Sequence, residues 1–599
     1  MHKSIKIALA ILCSILALAA IGAWYAISSI NPAQLTQLLS SSVRDATGRD
    51  LKIIGPVSLS IFPVITVNAE QVSLSNASWA SDPEMLTLKS IGLEMKWLPL
   101  LTKNVEISSI RLNGLEAYLQ VSKAGIGNWD MSVPQTQAPG SSAAASASNS
   151  SPSDDSNFVG IETINITDAR VTYRDGTKLA KVVVLPKLEF NGGGGKTSVL
   201  IDLAYANYKL GLKGKISSLR QSIIDWDQKP VKMDLDLVFT SNGKALDISG
   251  VIDKKPKTLP QFDIKLQSKS FDLLPLAGAS MAASGANGSK PTSKADGKYV
   301  FSDDALPFDL IPEASGKIAI NIAQLTLPEG VPLTNLKTNL LFDGDKLDVN
   351  DLSFELGKGS AQMQASLSGI YSSAPSLSMK GLAKGFTMEQ IIASADASAK
   401  VSGGDTQIAL NLRSNGASLH QLAARANGAM QISMGQGKLD SKFLNAGGDF
   451  VMTVLDAVNP MRKKTSQTVI ECAVAYLPMS NGMVNIKDSV GVETDRLNIV
   501  LSGSINLNTE AINLTIDPKE KSGLTTGLDL GSLVKLEGTL QNPKAGINQV
   551  GVVNSAVSIG LGILTGGISI AAENAKSLAN KSQPCKTALH SWSDIYPGN

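Results

Sequence analysis

A chain of 599 residues is long enough for several ordinary domains or for one long repetitive sheet. Its 54 Lys and Arg against 52 Asp and Glu leave a net charge of +2, which gives no basic footprint for nucleic acid. Only 3 Cys and 3 His restrict metal and nucleophile chemistry, while 5% aromatic, 18% charged and 52 Gly describe strand-and-turn material rather than a charged helical surface.

His2, Lys3 and Lys6 precede an uncharged run from Ile7 through Leu16 to Ile27. About 20 helical residues at ~1.5 Å rise span a ~30 Å hydrocarbon core, and lysines before the run hold that end in the cytoplasm. The run predicts a retained transmembrane anchor. A cleaved signal peptide, with small residues at Ala17, Ala19 and Ala20, is the alternative, and either one exports the rest of the chain. Asn31-Pro32 predicts a helix start, Leu35, Leu38, Leu39 and Val43 its apolar stripe, and Gly48 its end. Strands are predicted over 51–54, 57–62, 65–74, 85–96, 105–112 and 116–121. Residues 134–157 are Ser, Ala, Pro and Gln with almost no large apolar side chain, which predicts a flexible linker.

From Phe158 the alternation returns. Leu235 and Leu237 lie in a run where Val231, Met233 and Phe239 alternate with Lys232, Asp234 and Asp236. A second low-complexity segment covers 277–297, and further alternating runs lead through Leu410 to the end of the chain. Helices are predicted only over 387–395, 418–426 and 442–458. Between 469 and 543 the pattern is densest: Leu497, Ile499 and Leu501 alternate with Asn498, Val500 and Ser502, Ile505 and Leu507 with Asn506 and Asn508, and after a turn at Thr509-Glu510 come Ile512, Leu514 and Ile516, separated by Asn513 and Thr515. Runs spaced this closely read as an antiparallel meander with one oily and one wet face.

Two ordered sets of motifs carry a resemblance. Near the N-terminus these are Thr47-Gly48-Arg49, Gly55-Pro56-Val57, Pro63, Asn76 with Trp79, and Asn128-Trp129. Near the C-terminus the order is Cys472, Asn481-Gly482, Glu493-Thr494, Gly503-Ser504-Ile505-Asn506-Leu507, Ile516-Asp517-Pro518-Lys519 and Glu537-Gly538-Thr539-Leu540 before Asn542-Pro543. Together they resemble the AsmA family of bacterial envelope proteins over the first ~130 residues and roughly 381–599. The resemblance implies an anchored envelope protein whose β-sheet forms a groove like that of bridge-like lipid transfer proteins. The expected organisation is an anchor over 1–30, an N-terminal AsmA-like helix and β region over 31–133, a linker over 134–157, β-groove segments over 158–276 and 298–380 around a loop at 277–297, a C-terminal AsmA-like domain over 381–545 and an apolar tail over 546–599.

A sheet with one apolar face must hide it. The strands can pair into sandwiches with dry cores, or one long, curved, mostly antiparallel sheet can present a groove that lipid fills; the resemblance favours the groove. Leu235, Leu237, Leu410, Ile499, Ile505, Leu507, Ile512, Leu514 and Ile516 are its candidate lining. The expected activity is carriage of phospholipid between envelope membranes, the alternative a non-transporting scaffold for outer-membrane protein assembly. No catalytic constellation, metal-spacing motif or cofactor signature is present in the sequence, so a non-enzyme without cofactor is expected. Gly192 to Gly195 reads as a turn, and Arg462-Lys463-Lys464 as a solvated helix end rather than a headgroup site. Cys472 and Cys585 are both exported in this reading and form either a disulfide or two free thiols. The apolar, Gly-rich stretch 551–572 is either a membrane-contacting helix, reaching the outer membrane or an envelope protein, or a helix flanking the last strands.

Overall fold

The computed structural model describes residues 36–37, 40–41, 43–44, 47–60, 64–96, 107–122, 125–130, 161–175, 180–193, 195–274, 299–327, 332–387, 390, 401–440, 467–495, 497–521, 534–547 and 583–596. The expected anchor (Ile7, Leu16, Ile27), the linker at 134–157, the loop at 277–297, the helix at 442–458, the cations at 462–464 and the stretch 551–572 lie outside them, as does nearly all of the helix at 387–395. Among the described residues no helix is long and apolar enough to cross a membrane. The fold is mainly β, in two compact units. One draws its described residues from 36–258 and the other from 259–274 and 299–596.

In unit 1, residues 36–37, 40–41, 43–44 and 47 are helical. Gly48, at φ +67°, donates its N–H to the carbonyl of Arg44 and closes that helix. Strands follow: β1 (Leu51–Ile53), β2 (Val57–Ser60), β3 (Ile65–Ser75), β4 (Glu84–Met95), β5 (Ile107–Asn113), β6 (Glu116–Val121), β7 (Thr163–Asp175), β8 (Lys181–Gly193), β9 (Lys196–Tyr205), β10 (Tyr208–Ser217), β11 (Val231–Ser241) and β12 (Lys244–Lys254). Helix α1 (Leu219–Asp225), which the alternation did not reveal, bridges β10 and β11 and is capped by the Ser218 hydroxyl.

Unit 2 holds β13 (Gln261–Ser268), β14 (Phe271–Asp272), β15 (Ala314–Thr326), β16 (Leu333–Gly344), β17 (Lys346–Leu356), β18 (Gly359–Ser368), β19 (Ser376–Phe386), β20 (Val401–Gly403), β21 (Thr406–Asn415), β22 (Asn427–Met434), β23 (Gly437–Asp440), β24 (Gln467–Ser480), β25 (Met483–Thr494), β26 (Leu497–Asn506), β27 (Ala511–Glu520), β28 (Val534–Thr539) and β29 (Pro543–Ile547). Its helices are short: α2 (Leu419–Ala424), α3 (Pro584–Ala588) and α4 (Trp592–Ile595).

Most neighbours are antiparallel, as a meander requires, but each unit has one parallel joint. In unit 1, β5 and β6 both run parallel to β7. In unit 2, β13 and β14 both run parallel to β15. The same device is used twice: an interrupted strand, then one long strand laid alongside both pieces. A parallel neighbour needs a crossover of a dozen or more residues. The two low-complexity segments fall between β6 and β7 and between β14 and β15, where that crossover is required. The expected division at 134–157 thus falls inside unit 1, between strands that pair.

Bulges keep the faces aligned. Between Val349 and Leu352, β17 has one residue more than β18 has between Ala365 and Met363. Asp351, at φ +51°, absorbs the excess, a backbone state that aspartate tolerates. Val349 and Leu352 therefore share a face although their spacing is odd.

Unit 2 is also closed by a buried acid. Glu510, in the β26–β27 turn, is fully buried. Its carboxylate accepts hydrogen bonds from the N–H groups of Val300 (2.6 Å) and Phe301 (2.9 Å), 210 and 209 residues away in sequence. The Nδ1 of His420 lies 4.0 Å from it, and the His420 ring stacks on Tyr299 at 3.9 Å. Glu510→Ala removes the acceptor that holds the Val300 and Phe301 N–H groups. It should cost about 3 kcal/mol and speed amide exchange at Val300 and Phe301 on the order of 100-fold, read by hydrogen-exchange mass spectrometry. Unchanged protection of 299–301 would show that the clasp contributes nothing.

Candidate functional site

Residues directly opposed in neighbouring strands share a face, so the pairings reveal which side chains line up across each sheet. In unit 1 one row reads Val57, Ala69, Ile91, Leu112, Ile166, Leu188, Ile201, Leu212, Phe239 and Leu246, one residue from each of ten strands. The row beside it, two residues along every strand, is Leu59, Val67, Leu93, Ile110, Ile164, Phe190, Val199, Gly214, Leu237 and Ile248. The opposite face carries Ser58, Asn68, Gly92, Arg111, Asn165 and Glu189 in the corresponding row.

Unit 2 repeats this over more strands. One row runs Ile264, Ile318, Leu340, Val349, Ala365, Met379, Leu412, Gly428, Met479, Val484, Ile505, Ile512, Gly538 and Pro543, fourteen strands with no polar side chain. At ~4.8 Å between strands, that row is about 60 Å long. A second row crosses eleven strands from Phe354 through Ala361, Ala383, Ile408, Ile432, Ala475, Val490, Leu501, Ile516 and Val534 to Ile547. These rows run perpendicular to the strands, so each unit carries an unbroken apolar lane.

The sequence-predicted lining falls on this face. Leu235 and Leu237 sit in unit 1, and Leu410, Ile499, Ile505, Ile512, Leu514 and Ile516 in unit 2; Leu507 follows the last residue of β26 and packs with them. Leu235, Leu237 and Leu410 are half-buried. Ile512 and Leu514 are different. They are buried in a cluster with Val484 and Ile486, against Leu501, Ile505 and Leu536. The neighbours that bury these two lie beside them on the same face, on the adjacent strands. Gly503 lies in the same row as Ile486 and Leu514; at φ +128° a Cβ there would strike the carbonyl of Asn513, so only glycine fits.

The face away from the lane is wet and ion-paired. Lys89 and Asp168 approach to 2.6 Å at an exposed site. The hydrogen bond from the ammonium holds the Asp168 carboxyl below its ordinary range and raises Lys89. Lys346 and Asp348 behave alike, with Ser366 adding a second hydrogen bond to the carboxylate.

On that same outer face of unit 2 lies a strap, held by the disulfide that was one of the two alternatives for Cys472 and Cys585. Residues 583–596 cross from β25 to β19. Cys585 is joined to Cys472 of β24 by a disulfide. The Cys585 N–H donates to Glu493 (3.1 Å), and a Cβ at Gly491 would strike the carbonyl of Pro584. The buried Gln431 amide exchanges two hydrogen bonds with the His590 backbone, at 2.8 and 3.1 Å. Ile595 fills a pocket against Leu382 and Ala409. Leu382, Ala409, Gln431 and Tyr476 form one row, one residue out of phase with Ile408 and Leu410. The strap therefore leaves the apolar rows uncovered. Helices of five and four residues show no periodicity, and the only signals for the strap were the two cysteines.

A mainly β protein whose units present unbroken apolar lanes, with polar outer faces, is the class that this fold and face define. The model of the AsmA family matches residues 1–225 and 237–489, and the chain belongs to that family. Among curated proteins it is similar to the AsmA family protein YhjG of Escherichia coli (strain K12), with 22% identity over 312 residues, 49% of this chain and 43% of that protein. The chain thus spans less than half the length of this relative. No solved structure matches it.

Proposed function

We propose that the protein is held in the bacterial inner membrane by residues 7–27, N-terminus in the cytoplasm, and carries phospholipid acyl chains along its apolar lanes while headgroups stay in water. The observation that carries this reading is the register: fourteen strands in unit 2, and ten strands in unit 1, contribute no polar side chain to the main rows. Burial of apolar area is non-directional, about 0.8 kcal/mol per CH₂, so a chain lying across strands gains much the same wherever it sits and can slide. Membership of an envelope family supports the compartment. The protein works without cofactor or catalysis in this reading; His420 stacks on Tyr299 and His590 packs on Tyr476. The far partner is the outer membrane or an envelope protein reached through the C-terminal tail.

The test is photocrosslinking in cells, with probes at Leu237 and Leu410 in the lanes and at Asp236 on the wet face. Lane probes should give phospholipid adducts and Asp236 none. Adducts to protein alone at both lane positions would sink the conduit. The second reading, a non-transporting scaffold for outer-membrane protein assembly, draws support from the buried cluster of Val484, Ile486, Ile512 and Leu514, which packs as a protein core does.

A further inference from the structure

We propose that one end of unit 1, bearing Trp79, Ile126 and Trp129, docks on the surface of a phospholipid bilayer. The two Trp lie on separate turns, after β3 and after β6, and are 42% and 46% exposed; Ile126, beside Trp129, is 53% exposed. Single exposed apolar side chains need no explanation. These three are gathered by a built support. The fully buried Asn128 side-chain amide donates to Asn76 Oδ1 (2.9 Å) and to the carbonyl of Tyr118 (2.7 Å), and its Oδ1 accepts from the Gln120 N–H (2.9 Å). Trp129 packs on Tyr173 at 6.3 Å, and its ring leaves no room for a side chain at Gly127. The turns are thus ordered before they meet anything, which removes the entropic cost of presenting two large rings to a partner.

Two further observations name that partner. The Arg49 guanidinium donates to the Asn128 carbonyl (3.2 Å), and Asp50 and Ser75 bond each other beside it. Residues 49 and 50, which follow the uncharged run 7–27 in the sequence, therefore lie at this same end. Three pairs of charges nearby are matched: Arg174 with Asp82 (2.6 Å), Lys52 with Glu84 (3.4 Å) and Arg44 with Asp50. An acidic or basic protein partner would find little to recognise, whereas amphipathic indole rings suit the headgroup–acyl boundary of a bilayer. The inference rests on the membrane-anchored reading given above but not on transport along the lanes.

The full-length chain should be reconstituted in phosphatidylcholine vesicles, plain or brominated near the top of the acyl chains, and its emission compared with that of Trp79→Phe/Trp129→Phe. The four other tryptophans, Trp24, Trp97, Trp226 and Trp592, are common to both proteins and cancel in the difference. That difference should fall by about half or more in brominated lipid, as expected for interfacial indoles. Trp79→Phe alone, which leaves the Trp129–Tyr173 contact intact, should give the same result for one ring. A difference emission indifferent to bromine overturns the proposal. Lipid adducts at Leu237 are read separately, so docking and transport can fail independently.

Discussion

Leu237→Asp should lower the phospholipid co-purifying with the full-length protein about tenfold or more, because a carboxylate facing acyl chains costs several kcal/mol and 1.4 kcal/mol is already a factor of ten. Leu237 stands mid-row, opposite Gly214 on one side and Ile248 on the other, on strands flanked by others in both directions. A lipid tail lying across the strands cannot pass it without contact. Asp236, one residue back, pairs with Lys215 and Ser249 on the wet face. Asp236→Ser should therefore leave captured lipid within about twofold, as exposed substitutions away from special features do. Both variants should keep the β-type circular dichroism, since Leu237 is half-buried and adds little to packing. Lipid mass spectrometry of the purified variants gives the answer. Wild-type lipid in folded Leu237→Asp protein would remove the lanes from the mechanism.

Loss of the Cys472–Cys585 bond should be the largest stability effect of any single covalent change. The bond closes a separation of 113 residues. In the chain-entropy account such a loop restricts the unfolded ensemble by about 5 kcal/mol. Cys585→Ser should lower the urea midpoint of unit 2 accordingly. It should also speed exchange of the His590 amide, which donates to Gln431 at 2.8 Å. The strap retains Ile595 in its pocket, so loosening rather than complete release is expected. A thiol reductant applied to the wild-type protein should reproduce the shift. An identical midpoint in both states would mean that the non-covalent contacts alone hold the strap.

Much of this architecture was legible from alternation, because a half-buried strand must alternate. Phe262-Asp263-Ile264-Lys265-Leu266 announces itself in that way. Edges of strands moved by a residue or two; the run read over 105–112 is β5, Ile107–Asn113. Pairing was not legible. Nothing local says that Leu112 lies beside Ile166 across a parallel joint, or that Asp351 takes up an extra residue so that Leu352 rejoins Val349. The linkers were recognised by composition, but their role as crossovers depends on strands that flank them. Glu510 read as one polar residue in a turn. Its burial follows from a segment some 210 residues away, and no window of sequence contains both. Asn76 and Asn128 were noted each beside a Trp, but their mutual hydrogen bond is likewise a property of the fold.

The interrupted-strand joint, used once in each unit, bears on how such a chain can change size. Adding or removing a whole hairpin brings two strands and preserves which side each neighbour presents. A lone inserted residue reverses that side for everything beyond it in the strand, unless a position such as Asp351 accommodates it. Lengthening is therefore quantised in strand pairs, and single-residue gain is confined to bends and to the stretches between strands. Within each unit, hairpins can thus be gained or lost while the apolar rows stay in register.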